Sequence, residues 1–302
     1  MNQAFASYLK RNYHYYLLLL LPMLYFAIFR YGPIFGNMLA FRKYVPGGPA
    51  YGTEWVGLRY FRMFLEDPNF WVAFKNTIIL SVFNLSITFP LPIIFALLIN
   101  EILSSRVKRF IQIVSYFPNF ISIVVVVGLI KELLSPSNGI INHLLGMMGI
   151  DPIFFTNQPE WFRTIYIGSD IWQYMGWNAV IFVAALASVD SQLYEASELD
   201  GAGRWKQTLH VTIPQILPTI SVVFIISLGS LLSLGFEKVL LLYTASNSST
   251  SDIIETFVFR MGLENNNYSY ATAAGLFGGI IGFTLVSVAN TISRKISGVS
   301  LY

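Results

Sequence analysis

Asp190 to Pro218 reads D-S-Q-L-Y-E-A-S-E-L-D-G-A-G-R-W-K-Q-T-L-H-V-T-I-P-Q-I-L-P and lies between two apolar runs, one ending near Ala187 and one starting near Ile220. So polar a stretch is too costly to hold in hydrocarbon, so it must face water. Asp190 or Ser191 can cap a helix by accepting a backbone N–H bond. Gln192 to Asp200 holds good helix formers and no glycine or proline. Gly201 and Gly203 supply permissive backbone where that helix must stop. Gly203 to Val211 is expected to turn back as a second short helix, ended by Pro214.

The runs on either side decide the class. Apolar residues make up 55% of the 302-residue chain and charged ones 12%, about half the usual charged share of soluble proteins. With aromatics at 16%, the expectation is an all-α integral membrane protein. There are no cysteines, so disulfides and thiolate chemistry are excluded, and a net charge of +3 gives no argument for nucleic acid.

A span needs about twenty largely apolar residues to cross roughly 30 Å of hydrocarbon. Candidates lie near 15–35, 73–99, 110–130, 164–187, 216–236 and 271–292. Pro90 and Pro92 interrupt the second, where a kink is expected near Pro90. Lys10 and Arg11 precede the first span as they would a signal peptide, but no small-residue cleavage site follows it, so it reads as an uncleaved anchor. Lys10, Arg11, Arg106, Lys108, Arg109, Arg204, Lys206, Arg294 and Lys295 fall on one side. By the positive-inside rule that side is the cytoplasm, with both termini and the loop 190–218. Arg42, Lys43, Arg59 and Arg62 in the first outer loop run against the rule.

The outer loops are long. Leu58, Phe61, Phe64 and Leu65 recur at helical spacing and predict a short interfacial helix. A small helix is expected around Ile140 to Met148. The run S-N-S-S-T-S reads as mobile, and Ile253 to Arg260 as ordered.

Several motifs resemble a known family. Glu195-Ala196-Ser197, then Asp200-Gly201-Ala202, then Val211-Thr212-Ile213-Pro214 resemble the EAA loop of importer permeases of the ATP-binding-cassette class. Ser197 stands where the second alanine of the family pattern usually is, and Ile213 for a leucine. The resemblance implies a six-helix type I ABC importer permease fold, with residues 1–302 forming a single transmembrane permease domain. It implies a coupling helix that docks into a cytoplasmic ATPase through Glu195, Ala196, Ser197, Asp200, Gly201, Ala202, Ile213 and Pro214. The Gly57–Phe61 run G-L-R-Y-F, Ser251 to Arg260 and Asn267 to Ala273 are similar to the carbohydrate-uptake branch, especially its polysaccharide and complex-oligosaccharide members. The partners this implies are a second homologous permease, making a heterodimer, two ATPase subunits that carry ATP and Mg, an extracytoplasmic solute-binding protein and a carbohydrate substrate. The implied place is the cell membrane of a bacterium or archaeon. No cofactor is expected on this chain.

No catalytic or metal-ligating set is expected either. The sequence has no phosphate-binding glycine-lysine loop, no H-E-x-x-H and no G-x-S-x-G, and His14, His143 and His210 are scattered. The fourth span opens I-W-Q-Y-M-G-W-N. Gln173 and Trp177 share one face, Tyr174 and Asn178 the next. Ring faces beside amides suit a sugar, which stacks on an aromatic plane and needs partners for its hydroxyls. These four residues, with Asn119, are the candidate substrate path; an aromatic belt at the interface is the competing reading. Asn119 and Asn84 are weaker candidates, as apt to bond a neighbouring helix. Span interiors read as nearly free of charge, which speaks against a peptide, amino acid or phosphate importer. A non-transporting receptor would leave the EAA-like loop unexplained. Rows of small residues in the sixth span (Ala271, Gly275, Gly279; Ala274, Gly278, Gly282) read as packing.

Overall fold

The computed structural model describes residues 11–297. Its helices, in chain order, are α1 Tyr13–Phe41, α2 Arg59–Leu65, α3 Pro68–Asn100, α4 Ser105–Phe120, α5 Ile123–Leu133, α6 Ile140–Met147, α7 Pro159–Ala187, α8 Ser191–Leu199, α9 Arg204–Gly229, α10 Phe236–Leu242, α11 Ser248–Ser251, α12 Ile254–Phe259 and α13 Tyr268–Ser297. Among the described residues there is no strand beyond a single bridge between Arg42 and Trp55. The chain divides into two compact units, Met1–Glu66 with Val258–Leu276, and Asp67–Phe257 with Phe277–Tyr302.

In the first unit, α1 is apolar all round and no residue of Tyr13–Phe26 is buried. A helix hydrophobic on every face and covered by no protein is suited to lipid. Beyond α1 the chain folds back as a small hairpin. The Lys43 N–H donates to the Glu54 carbonyl (2.9 Å), the Val56 N–H to the Phe41 carbonyl (2.8 Å), and the Phe41 and Trp55 rings stack at 5.5 Å. Gly52 turns the hairpin at φ +75°, where a Cβ would come within 2.8 Å of the Lys43 carbonyl oxygen. Ser269 Oγ donates to the Arg42 carbonyl (2.7 Å) and accepts from the Tyr44 N–H (3.1 Å), tying the hairpin to the first turn of α13. In α2 only Phe64 is fully buried; Leu65 and the preceding Leu58 stay exposed, so the expected apolar face is half used within the chain.

In the second unit, α3 and α7 pack along much of their length. Small residues permit the approach: Ala96 and Ala179 are fully buried in one cluster with Phe182, Leu186 and Ile216. Another cluster joins Leu80, Val127, Phe162, Tyr166, Leu234 and Val239. A Cβ on Gly176 would overlap the Ser115 carbonyl, so this glycine is what lets α4 lie against α7.

Four helices (α1, α3, α9 and α13) are long and apolar enough to cross a membrane, and the bent pairs α4 with α5 and α7 with α8 bring the number to six if each counts as one span. The third expected span, 110–130, is therefore not one helix. It breaks at 99°, where Pro118 interrupts the first half and Ser122 Oγ caps the second by accepting from the Val125 N–H at 3.4 Å. The second span continues through Pro90. Its irregularity is a π turn at Asn84–Thr88, just ahead of the proline.

The expected separate helix at 203–211 is the first part of α9. Pro214 does not end it, because the π turn Thr208–Thr212 shifts the hydrogen-bond register where the proline N–H is missing. The serine-rich run is not loose. Asn247 is 1% exposed and Ser251 0%. Asn247 Nδ2 donates to the Thr156 and Leu242 carbonyls (2.9 and 3.0 Å), and its Oδ1 accepts from Ser251 Oγ (2.6 Å). A polar composition marked this segment as solvated, but its polar groups satisfy one another. The helix at 140–147 and the ordered piece at 254–259 are present as expected. In α13 a Cβ on Gly278 would meet Ile254 at 3.5 Å and one on Gly282 would meet Leu232 at 3.7 Å, whereas Gly279 has open space around it. The row Ala274, Gly278, Gly282 is thus used in packing throughout, and the other row all but at Gly279. Lys10 lies outside the described residues, as does the side chain of Lys295.

Candidate functional site

A cavity of about 600 Å³ opens in the second unit, walled by α3, α7, α9 and the turn that follows α9. The α3 wall contributes Asn84 and Thr88, the two ends of the π turn. The α7 wall contributes Trp177 and Asn178, and the end of α9 contributes Ser227 with Ser230 and Ser233 beyond it. No ionisable side chain lines it. Trp177 is 46% exposed and packs edge-on against Phe120 at 5.6 Å.

The candidate path residues are thus divided. Trp177 and Asn178 share the cavity. Gln173 is 2% exposed, and its Nε2 donates to the Ile121 carbonyl at 3.2 Å, which makes it a strut between α7 and the α4–α5 bend. Asn119 sits half-buried in the 3-10 turn Phe117–Phe120, away from the cavity wall. Tyr174 faces the Lys238 ammonium, which lies 5.2 Å from its ring centroid.

The fourth span is not free of charge, contrary to expectation. Asp170 lies inside α7, and its Oδ1 accepts from Lys238 Nζ of α10 at 2.5 Å. The two side chains are 11% and 1% exposed. Tyr166, a turn before Asp170, donates its hydroxyl to the Leu234 carbonyl just ahead of α10. An ionisable residue in an apolar span was itself the readable signal; its partner, 68 residues away, was not. α10 begins two residues after Leu234, the last residue of the cavity wall, so the pair anchors the segment next to the cavity.

The polar loop forms a built corner. Asp190 caps α8 by accepting from the Gln192 N–H at 2.9 Å. At the other end the Gly201 N–H donates to the Glu198 carbonyl (3.0 Å) and the Ala202 N–H to the Ser197 carbonyl (2.9 Å). With Gly201 at φ +76°, this is a Schellman stop. Gly203, the second expected breaker, has an ordinary φ of −74°. Ser197 Oγ donates to the Tyr194 carbonyl (2.7 Å) and accepts from Gln207 Nε2 (3.0 Å), and the Tyr194 and Thr212 hydroxyls lie 2.9 Å apart. These bonds fix α8 against the start of α9. Glu195, Ala196, Asp200 and Gly201 remain exposed, together with Leu199 at 91% and Trp205 at 74%; Ala202 is half-buried, and Ile213 and Pro214 lie in the first turns beyond the π turn of α9. Among the described residues no group of acidic or histidine side chains could hold a metal ion.

Comparison with known proteins gives this geometry its context. The polygalacturonan/rhamnogalacturonan transport system permease protein YteP of Bacillus subtilis is 42% identical over 287 residues, covering 95% of this chain and 89% of that protein. Protein LplB of the same organism is 40% identical, covering 99% of this chain and 94% of that one. A chain in the crystal structure of a bacterial ABC transporter involved in the import of the acidic polysaccharide alginate superposes with a TM-score of 0.91 at 40% identity, over 97% of this chain and 99% of that chain. The fold is thus the all-α, multi-span permease fold. Residues 88–298, which take in the cavity's α7 and α9 walls and the whole α8–α9 corner, match one sequence family, and the chain belongs to it: the binding-protein-dependent transport system inner membrane components.

Proposed function

We propose that this chain is the permease subunit of an ATP-driven importer of oligosaccharides or polysaccharide fragments, and that the whole chain, 1–302, works as one permease domain. The observation that carries the reading is the cavity: about 600 Å³, lined by an indole, two side-chain amides and several hydroxyls, with no charged group. That volume is in the range of ligand pockets. A saccharide offers apolar C–H faces to an aromatic ring and hydroxyls to amides. The relatives named for polygalacturonan, rhamnogalacturonan and alginate support the substrate class.

On this reading the chain pairs with a second homologous permease and with two cytoplasmic ATPase subunits, which hold ATP and Mg. An extracytoplasmic binding protein delivers the solute; the related alginate transporter crystallised with its oligosaccharide-bound periplasmic protein supports that partner. The exposed side of the α8–α9 corner, with Glu195, Ala196, Asp200 and Gly201, is the ATPase-docking surface, while Ser197, Ala202, Ile213 and Pro214 shape it from behind. Both termini and this corner lie in the cytoplasm, and the basic residues Arg106, Lys108, Arg109, Arg204 and Lys206 support that orientation. ATP-driven closure of the ATPases draws the corners together and favours the outward-open state; hydrolysis resets it. Transport then rests on differential affinity between two states.

The test is uptake of a labelled panel of oligogalacturonides, oligoalginates and neutral arabino-oligosaccharides by cells with the full transporter. Import of at least one class is expected. Trp177→Ala and Asn178→Leu should each lower it several-fold at matched membrane abundance, as loss of one aromatic platform is worth on the order of 1 kcal/mol. No import of any panel member would refute the substrate class, and wild-type import by Asn178→Leu would take Asn178 out of the path.

A further inference from the structure

The cavity wall on α3 holds one side chain that the helix leaves unsatisfied. Thr88 is 7% exposed, lines the cavity, and its Oγ1 makes no hydrogen bond. Helical hydroxyls elsewhere in the chain return to the carbonyl four residues back: Thr77 to Ala73 (2.8 Å), Thr272 to Tyr268 (2.7 Å), Thr284 to Ile280 (2.8 Å) and Ser227 to Val223 (2.9 Å). For Thr88 that acceptor would be the Asn84 carbonyl. That carbonyl accepts from the Phe89 N–H at 3.0 Å across the π turn, and the Thr88 hydroxyl makes no bond to it. Proline at 92 further removes the N–H that would have met the Thr88 carbonyl. Within N-L-S-I-T-F-P-L-P the Thr88 hydroxyl is thus left without a partner at the cavity wall. Asn84, at the other end of the turn, lines the same cavity. π turns inside long helices are a recurrent feature of functional sites.

We propose that Thr88, with Asn84 beside it, is a substrate-contacting and specificity-determining residue of the cavity, presenting a hydroxyl and an amide to the hydroxyls of a passing saccharide. The proposal rests on the permease reading above and adds to it a polar contact on α3, apart from Trp177 and Asn178 on α7. The hydroxyl is shielded in this structure. One staggered step of χ1 exchanges it with the methyl group, and threonine in a helix uses two such rotamers. A saccharide hydroxyl supplies the partner that makes the exchange favourable. With no cation on the wall, the contact reads hydroxyl position and not acidity.

The experiment compares Thr88→Val, which keeps the shape and removes the hydroxyl, with Thr88→Ser, which keeps the hydroxyl. Both are placed in the full transporter and assayed for uptake of the same labelled panel, with membrane abundance and thermal stability measured alongside. Thr88→Val should leave abundance and stability unchanged or higher, since it deletes an unpaired buried hydroxyl, and yet lower uptake roughly threefold to tenfold, the worth of one hydrogen bond. Thr88→Ser should retain most of the uptake. Uptake by Thr88→Val equal to wild type would overturn the proposal, as would a loss of uptake that merely follows a loss of abundance. A loss in Thr88→Ser as large as in Thr88→Val would also overturn it. A wild-type transporter that imports no member of the panel is a distinct result: it removes the function reading, and this inference falls with it.

Discussion

Lys238→Met is the sharpest structural perturbation the fold offers. The ammonium and the Asp170 carboxylate meet at 2.5 Å, with the two side chains 1% and 11% exposed. Neither can retreat to water when its partner is removed. Deleting one member of such a pair leaves an uncompensated buried charge, and the cost is about 3–5 kcal/mol. That is more than a hundredfold in the ratio of folded to unfolded chain, since about 1.4 kcal/mol is a factor of ten. Asp170→Asn should cost a similar amount. The double variant Asp170→Asn with Lys238→Met removes both charges and should recover most of the loss, because replacing a whole buried pair by neutral groups is often near neutral or stabilising. The assay is a denaturant titration of the purified full-length chain in mixed micelles, run as a double-mutant cycle. Single variants that lose less than about 1 kcal/mol, or a double variant whose loss is the sum of the two, would refute the argument that the charges depend on each other.

Other expectations follow from particular contacts. Gly201→Pro, which cannot adopt φ +76°, and Glu195→Lys should insert into the membrane at normal abundance but lose co-purification with the ATPase; normal co-purification would argue against the docking surface. Asn247→Ala removes four side-chain hydrogen bonds of a buried amide, so stability should fall on the order of 3 kcal/mol, read as a lower melting temperature. Burial pushes the Glu255 carboxyl above its ordinary value, against the pull of a hydrogen bond from the Leu234 backbone. Because the folded protein then holds this proton more tightly than the unfolded chain, stability gains as pH falls through the raised value and is lost as pH rises through it; Glu255→Gln should flatten that part of the stability–pH profile.

Much of the fold was legible because lipid imposes simple rules. Runs such as Tyr15 to Phe35 and Ala271 to Ile292 announce spans by length and polarity alone, and the Asp190–Pro218 stretch announces itself by contrast. Local chemistry narrowed the corner to a few residues, Asp190 or Ser191 as the cap and Gly201 with Gly203 as the stop; the structure uses Asp190, and Gly201 because a Schellman turn needs φ > 0. What composition could not supply is where polar groups find partners. S-N-S-S-T-S has the makeup of a mobile loop, and it is tied down because Asn247, Thr250 and Ser251 reach carbonyls of segments nearly a hundred residues earlier or bond to one another. Gln173 has the makeup of a sugar ligand, and it binds a backbone carbonyl 52 residues away. Side-chain identity fixes what a residue can bond and leaves open which partner reaches it first.

The prolines show the same limit from the side of the backbone. Pro90 and Pro214 each signal an irregular helix, and the expectation was a kink near the first and a helix end at the second. Each helix instead continues, with a π turn just upstream, Asn84–Thr88 in α3 and Thr208–Thr212 in α9. A proline removes one N–H and crowds the carbonyl four residues back. A π turn absorbs this by moving the register of one turn, so the helix axis survives and the irregularity appears ahead of the proline that caused it. The residues left without ordinary partners are then those of the turn, and not the proline. In α3 the turn falls on the cavity wall; in α9 it falls behind the α8 corner, where Thr212 bonds Tyr194. Two of the π turns of this chain thus lie next to its cavity and next to its exposed polar corner, which are the two places a transport cycle would have to move.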